Sequence, residues 1–409
     1  MSALVAIIYN SLRLYKELNS KNRFSDKLLF IRYDRSIRKL VLQIIFSTFI
    51  LLFFWYLASR ALNLELGYGH LTSRAGFGIS HSFLSDYTSN QSRWDAYIVG
   101  VVNTIRVSLV GIALATLLGV LMGIARLSKN FLVRNIATGY VEFLRNTPLL
   151  IQIIFWQLVF LQFPQISKAW TFGGFSLWSN RGILLPLIKS DENGSLWAFI
   201  LLASFVLVLI LRSYLNKYKE EKVDFISPNL ISILIFATIL IATYFLLNIQ
   251  LSLDIPKLEI NKYGTYIPSG GFTLTPEFSA ILVALVMYTG TFITEIVRGS
   301  IQSLPKGQTE AAQALGFSSY QRITLIILPQ ALRSIIPPLT NQYLNLTKNS
   351  SLSVAIAYPD VFMVSRTIMN NAGYALPMLF LILITFLTLS LIISLVMNLL
   401  NSRVTRIGA

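Results

Sequence analysis

Cysteine is absent from the 409 residues, which excludes disulfides, thiol nucleophiles and thiolate metal sites. Histidine is nearly absent: His70 and His81 stand in a polar stretch at no helical metal-ligand spacing, so both are expected at the surface. No G-x-x-x-x-G-K-S/T pattern occurs, which excludes that route to cradling nucleotide phosphates. Charge is scarce as well. Only 13% of residues are charged, against about 25% in soluble domains, while 54% are hydrophobic. The apolar runs offer almost none of the convergent histidines, cysteines or paired acids that a membrane-embedded enzyme needs. No catalytic residue, cofactor or metal is therefore expected.

What charge there is has a pattern. The net charge of +16 is compatible with nucleic-acid binding in size, but the basic residues lie in short stretches between apolar runs, which points away from that partner. A membrane helix needs about 20 apolar residues. Such runs fall near 39–58, 98–125, 137–162, 195–211, 229–250, 278–297, 340–362 and 377–402. The fold class expected is all-α, a polytopic membrane protein with about eight spans. The run at 340–362 holds Lys348, Asn349, Pro359 and Asp360, so it reads either as a polar-lined helix or as a broken one. Alternate loops differ in charge: 23 Lys and Arg fall on the side shared by both termini and nine on the other. The positive-inside rule then places both termini in the cytoplasm. Residues 1–39 are polar and basic apart from Leu4–Ile8, and do not resemble a cleaved signal peptide. In the second run, Gly111, Ala115, Gly119 and Gly123 recur every four residues, a spacing that lets helix backbones approach closely, within one bundle or between subunits.

Residues 298–348 form the longest stretch on the basic side and are patterned throughout. Ser303 to Gln308 reads as a turn that starts a helix, and Glu310-Ala311-Ala312-Gln313-Ala314-Leu315 is made of strong helix formers. Gly316 suits a left-handed helix end. A second amphipathic run carries Tyr320, Ile323, Ile326 and Ile327, and Pro329 is expected to end or kink it. The pattern is thus helix, sharp turn, helix. A helix pair lying in the membrane interface is the simpler account of it.

The spacing of Glu310, Ala311, Ala312, Gly316, Ile326, Leu328 and Pro329 resembles the EAA loop of permease subunits in binding-protein-dependent ABC importers, in which this loop docks into a cytoplasmic ATPase. Around it, Arg298 to Gln302, Leu328-Pro329-Gln330-Ala331-Leu332-Arg333, Pro337-Pro338 and Asn341-Gln342 resemble the polar amino-acid permeases, the histidine/glutamine/arginine/opine group. Phe143-Leu144-Arg145-Asn146-Thr147-Pro148-Leu149-Leu150-Ile151-Gln152 and Asn103-Thr104-Ile105-Arg106-Val107-Ser108-Leu109 are similar to two further stretches of that family. The resemblance covers about 98–162 and 278–402, with the coupling loop at 308–329. Residues 1–97, with an extra first span, and 163–277, with two more, lie outside it, and 403–409 form a tail. These additions, with Leu346 to Leu352 and Ala357-Tyr358-Pro359-Asp360, are similar to the larger permease of systems for general L-amino acids or for glutamate, glutamine, aspartate and asparagine.

The resemblance implies a type I importer permease in the bacterial inner membrane, worked by an ATPase dimer, paired with a second homologous permease and fed by a periplasmic amino-acid-binding protein. Tyr288, Thr291, Glu295, Lys348, Asn349, Ser350 and Ser351 are the candidate lining of the amino-acid path, with membrane lipid around them. Each has another account. Glu295 has Arg298 three residues on for an ion pair, Lys348 has the interface to snorkel to, and Asn and Ser join helices by hydrogen bonds. The Tyr288-Thr289-Gly290-Thr291 gap serves bending or packing, and Thr147-Pro148 is expected to kink or cap a helix. An ion-gradient-driven secondary transporter accounts for the spans equally well. It does not account for the EAA pattern, and the two halves show no inverted repeat.

Overall fold

The structure, a computed structural model, describes residues 35–61, 67–80, 86–191, 193–218 and 228–406. The basic stretch up to residue 34, with Leu4–Ile8, and His81, Lys219 and Lys222 lie outside them. The chain divides into two units, one formed by residues up to Leu71 with Met369–Phe380, the other by Thr72–Ile368 with Leu381–Ala409. In the first unit, helix α1 (Arg35–Ala61) exposes its apolar side chains from Leu42 to Tyr56, as suits a lipid-facing helix. His70 corrects the expectation of a surface histidine. It is 8% exposed, its ring stacks on Tyr374 at 4.1 Å between centroids, and Nδ1 lies 3.0 Å from the Gly67 carbonyl. A flat ring with a polar edge is covered on its face and still hydrogen-bonded at its rim.

The second unit is organised around two helices, α2 (Arg93–Arg126) and, after the elements described below, α7 (Pro276–Gln302). Helix α2 starts at a capping box: the Ser92 hydroxyl accepts from the Asp95 amide and the Asp95 carboxylate accepts from the Ser92 amide. Helix α7 starts with the Thr275 hydroxyl accepting from the Phe278 amide, and Pro276 stands in its first turn. The glycine stripe of α2 faces α7. A methyl group placed on Gly119 would come within 2.5 Å of Ile293, and one on Gly123 within 2.8 Å of Val297. Gly290 stands opposite, its carbonyl 3.0 Å from that added carbon, and Thr294 Oγ1 donates to the Gly119 carbonyl at 3.3 Å. The stripe therefore serves packing inside one bundle, and Gly290 serves packing in an unbroken helix.

The run at 137–162 is two helices, α3 (Phe131–Arg145) and α4 (Leu149–Leu161), meeting at 105°. Pro148 lacks an N–H and disfavours helical geometry in the residue before it. The carbonyls freed by the break are claimed by Gln152, whose Nε2 donates to Leu144 O at 2.8 Å and Thr147 O at 3.0 Å. Buried at 4% exposure, Gln152 supplies inside the bundle what water supplies elsewhere.

Helices α5 (Gly194–Tyr218) and α6 (Pro228–Leu246) pack as a hairpin through Phe205 on Phe236, and Trp197 Nε1 donates to Thr243 Oγ1 at 3.1 Å. Either side of this hairpin the chain forms short strands, which the sequence reading did not foresee. β1 (Trp170–Phe172), β2 (Ser176–Ser179), β3 (Gly182–Leu185) and β8 (Phe272–Leu274) make an antiparallel sheet in that order. β4 (Leu187–Ser190) pairs with β5 (Leu251–Asp254), and β6 (Lys257–Ile260) with β7 (Tyr266–Ser269). Asp254 ties them: its carboxylate meets Lys189 Nζ at 2.6 Å and accepts from the Gly271 amide at 2.9 Å. These two bonds hold its pKa below the usual carboxylate value.

After α7 come α8 (Lys306–Ala314), α9 (Leu328–Asn349), α10 (Val361–Ala372) and α11 (Ala375–Arg406). The run placed at 340–362 needs correction. The long apolar helix there is Arg322–Ile356, and it stops at Ala357, whose φ is +58°. Pro359 and Asp360 follow in a turn. Arg333 and Lys348, counted from the sequence on the basic side, stand within that helix. Among the described residues five helices are long and apolar enough to cross a membrane; the bent pair α3–α4 and two shorter apolar helices, Leu42–Tyr56 and Leu230–Leu246, occupy the remaining apolar runs.

Two outcomes are expected. Gly119→Leu would force α2 off α7, lowering stability by about 1–3 kcal/mol, read as a lower unfolding temperature of the purified transporter. Because the Asp254 pKa is lowered in the folded chain, its tie is present above the unfolded carboxylate pKa of about 4 and is lost as pH falls through the lower folded value. Exchange of the Gly271 amide, corrected for intrinsic rates, should therefore quicken only as pH falls below about 4, and Asp254→Asn should abolish that dependence.

Candidate functional site

The segment between α7 and α9 is built from its own backbone. Helix α8 ends at Ala314 with Leu315 as its C-cap, and Gly316 takes φ +78°. The Phe317 amide donates to Ala312 O at 3.1 Å and the Gly316 amide to Gln313 O at 3.0 Å. These are the two bonds of a Schellman motif. Nothing lies within 4 Å of a side chain added at Gly316, so the glycine is required by backbone conformation and not by crowding inside this chain. After the turn Ser318 and Gln321 form a capping box, the Ser318 amide donating to Gln321 Oε1 at 2.8 Å and the Gln321 amide to Ser318 Oγ at 3.3 Å. Arg322 reaches back to Gln313 Oε1 at 3.1 Å, joining the two arms. Gln313, Ser318 and Gln321 were missed as frame residues, although S-x-x-Q is a legible start signal.

Of the seven pattern positions, Ala312 is buried at 2% exposure, Glu310 and Ala311 are exposed, Ile326 and Pro329 are half-buried and Leu328 is 43% exposed. Pro329 does not end the second arm. Residues Arg322–Ile327 are wound as a π-helix, with the Leu328 amide donating to Ile323 O, and Pro329 stands in the first turn of α9. A residue without an N–H cannot donate to the carbonyl four residues before it, and the wider winding passes the chain into α9 without a break. The turn presents Leu315 and Tyr320, 77% and 76% exposed, beside one another in sequence order across Gly316.

Where α7 leaves the bundle, Glu295 is held by two arginines. Its carboxylate accepts from Arg298 at 2.7 and 3.0 Å and pairs with Arg126 at the end of α2. The i, i+3 pair weighed from the sequence is thus present, with a third partner that the sequence did not disclose. Thr291 is fully buried and donates to Tyr288 O at 2.7 Å, and the Tyr288 ring packs edge-on against Phe292. On α9, Lys348 is exposed and Asn349 half-buried. Residues Ser350–Ile356 continue as a 3-10 helix in which Ser350 Oγ donates to Thr347 O and Ser351 Oγ to Lys348 O, each at 2.8 Å. No hydrogen bond or ion pair joins Tyr288, Thr291 or Glu295 to the 348–351 group among the described residues. No cluster of three or more His, Cys, Asp or Glu is placed there to hold a metal.

Two stretches that were separate in the sequence meet at the end of the 3-10 helix. Tyr358 Oη donates to Asn103 O at 3.0 Å, Asn103 Nδ2 to Pro359 O at 3.0 Å, and the Val361 amide to Thr104 Oγ1 at 3.0 Å. Asp360, fully buried, accepts the Met363 amide and so caps α10. Gly100 allows the approach, since a methyl there would stand 3.0 Å from Asp360 O. Arg106 lies over the Phe278 ring at 3.9 Å and the Phe272 ring at 5.0 Å. The turn that ends the long helix is thereby clasped to α2.

Comparison with known proteins gives the family. The family described as binding-protein-dependent transport system inner membrane component matches residues 115–406. The AapQ permease of the general L-amino acid transport system of Rhizobium johnstonii is 36% identical over 91% of this chain and 93% of its own. YhdX of Escherichia coli, a putative amino-acid ABC transporter permease, is 38% identical over 83% of this chain and 85% of its own. BztB of Rhodobacter capsulatus, a glutamate/glutamine/aspartate/asparagine transport system permease, is 33% identical over 92% and 96%. The chain belongs to the family of binding-protein-dependent transport system inner membrane components. It is thus a multi-pass inner-membrane permease subunit of an ABC transporter, not itself an enzyme, and it works with an ATPase and a binding protein.

Glu295→Gln keeps the side-chain shape but removes the charge shared by Arg126 and Arg298. It is expected to lower stability by about 1–3 kcal/mol, seen as a lower unfolding temperature, with a smaller loss for Arg126→Ala measured in the Glu295→Gln background than in the native chain.

Proposed function

We propose that this chain is the larger permease of an amino-acid importer, carrying glutamate, glutamine and related amino acids or a wider range of L-amino acids. The observation that carries this reading is the likeness to AapQ and BztB, which extends over more than nine-tenths of this chain and so includes the added spans. The pore forms between this chain and a second, homologous permease, above two ATPase copies. Both termini face the cytoplasm. Removing Arg333 and Lys348 from the loop count leaves 21 basic residues against nine, which still supports that orientation. The strands flanking α5 and α6 would then face the periplasm, where they offer the binding protein a surface. The core is 98–162 with 278–402, and 1–97 and 163–277 are additions to it.

In this reading the EAA segment is the coupling helix. Glu310, Ala311, Ala312 and Gly316 shape the turn, and Ile326, Leu328 and Pro329 pass its displacement into α9. Closure of the ATPase dimer pushes on 308–328, and α9 and α7 tilt to alternate access to a site near mid-membrane. The exposed Leu315 and Tyr320 support docking, because apolar side chains held out on a water-facing turn call for a partner. Tyr288, Lys348, Asn349 and Ser351 line the path, with Glu295 closing its cytoplasmic edge through its arginines, while Thr291 and Ser350, fully buried, bond to backbone carbonyls behind that lining.

Gly316→Asp would strain the left-handed turn by roughly 1–2 kcal/mol and place a side chain against the ATPase. It is expected to abolish uptake and transport-coupled ATP hydrolysis while the subunits still assemble; unchanged coupling would refute the coupling role. Uptake of labelled glutamate, glutamine, arginine and leucine by cells with and without this chain tests the substrate. Loss of all four indicates a general importer, and loss of glutamate and glutamine alone the narrower system. No loss, with no redundant importer present, would remove the amino-acid assignment.

A further inference from the structure

The α5–α6 hairpin carries a groove that neither coupling nor the path uses. It has a volume of about 410 Å³ and is lined by Phe205, Val208, Leu209, Ile233 and Phe236, with Arg212 at its end. That volume is in the range of small-molecule sites. Among the described residues the lining contains no acid, and Arg212 is exposed with no hydrogen bond or ion pair to any of them. Arg212 also follows directly on the apolar run near 195–211, the level at which a bilayer passes from acyl chains to headgroups. Beyond it the sequence adds Lys217, Lys219 and Lys222 against Glu220, Glu221 and Asp224, which leaves Arg212 as the excess charge. Basic pockets between membrane helices on the cytoplasmic side are suited to anionic lipid headgroups.

We propose that this groove binds one anionic phospholipid, an acyl chain lying against Phe205, Leu209 and Phe236 and the phosphate meeting Arg212. A free cation at the membrane interface finds its counter-charge in a lipid phosphate. The apolar groove alone would accept any acyl chain, so the arginine makes the choice of headgroup. A helix with its side chains is about 10–12 Å across and does not enter a groove of this size, whereas an acyl chain does. The bound lipid wedges the hairpin at its loop end. The inference rests on the hairpin crossing the membrane and not on the identity of the transported substrate.

The assembled transporter, stripped of lipid in detergent, would be given phosphatidylglycerol or phosphatidylcholine of the same chains, and retained lipid counted by native mass spectrometry. Phosphatidylglycerol should be retained in preference. Arg212→Gln should reduce its retention about fivefold, the loss of one arginine–headgroup attraction, and Arg212→Lys should restore most of it. Phe236→Trp, which fills the groove and leaves the charge, should reduce retention of both lipids. Inorganic phosphate should not displace the lipid, which separates a headgroup with its chain from a bare anion site. Equal retention of the two lipids, or no effect of Arg212→Gln, would overturn the proposal. So would a cross-link in native membranes from a single cysteine at Phe236→Cys to another subunit, because the groove would then hold protein; the chain's lack of cysteine makes that variant unambiguous.

Discussion

Helices in lipid gain nothing by hiding apolar side chains from one another, since the acyl chains around them are equally apolar. Association has to come from close contact and from hydrogen bonds that lipid cannot supply. In this permease the close contact is the seam between α2 and α7, where Gly119 and Gly123 admit Ile293 and Val297 and Gly290 faces them across the gap. The other core elements are placed relative to that seam. Tyr140 of α3 donates to Met287 O on α7, Tyr343 of α9 bonds to Thr116 on α2, and the turn at 358–361 is clasped by Asn103 and Thr104. Most of these bonds end on a backbone group or close a pair between two hydroxyls, so they relieve polar atoms that the membrane would otherwise leave bare.

The segment between α7 and α9 follows a different logic, because its bonds are local. Its two arms are short, and each is held by local bonds: the Schellman pair at Gly316, the Ser318–Gln321 box and the Arg322–Gln313 bridge. Such a unit keeps its shape without a core of its own. It joins α9 through the π-wound Arg322–Ile327, with no loop between, so a displacement of the turn reaches the long helix directly. At the other side the segment leaves α7 just beyond Glu295, whose two arginine partners bind the ends of α2 and α7 together.

Legibility in the sequence was uneven, for physical reasons. The α5–α6 hairpin and the glycine stripe were plain, since length, apolarity and four-residue spacing are local properties. The strands were not: β1 to β8 are three or four residues each, too short for alternation to register, and only the turns between them, such as Gly173-Gly174 and Asn261 to Gly264, carry a local signal. The site was read as a pattern of seven positions, and its glycine proved to hold the left-handed turn. The winding of 322–327 was not readable, because Pro329 signals a break and the chain avoided one by adding a residue to the turn.

By itself, then, the sequence determined the class: a cysteine-free, charge-poor chain with eight apolar runs, a basic side and an EAA segment admits little else, because membrane insertion and the capping of a short helix are decided by near neighbours along the chain. The tertiary structure alone decided who meets whom. Glu295 was one carboxylate near one arginine until α2 brought Arg126 to it, and Gln152 was one polar residue in an apolar helix until the break at Pro148 left carbonyls for it to satisfy. Asn103 and Tyr358, more than 250 residues apart, form a single clasp. These partnerships depend on distances across the bundle, which local sequence does not encode and which the packing of α2 on α7 sets.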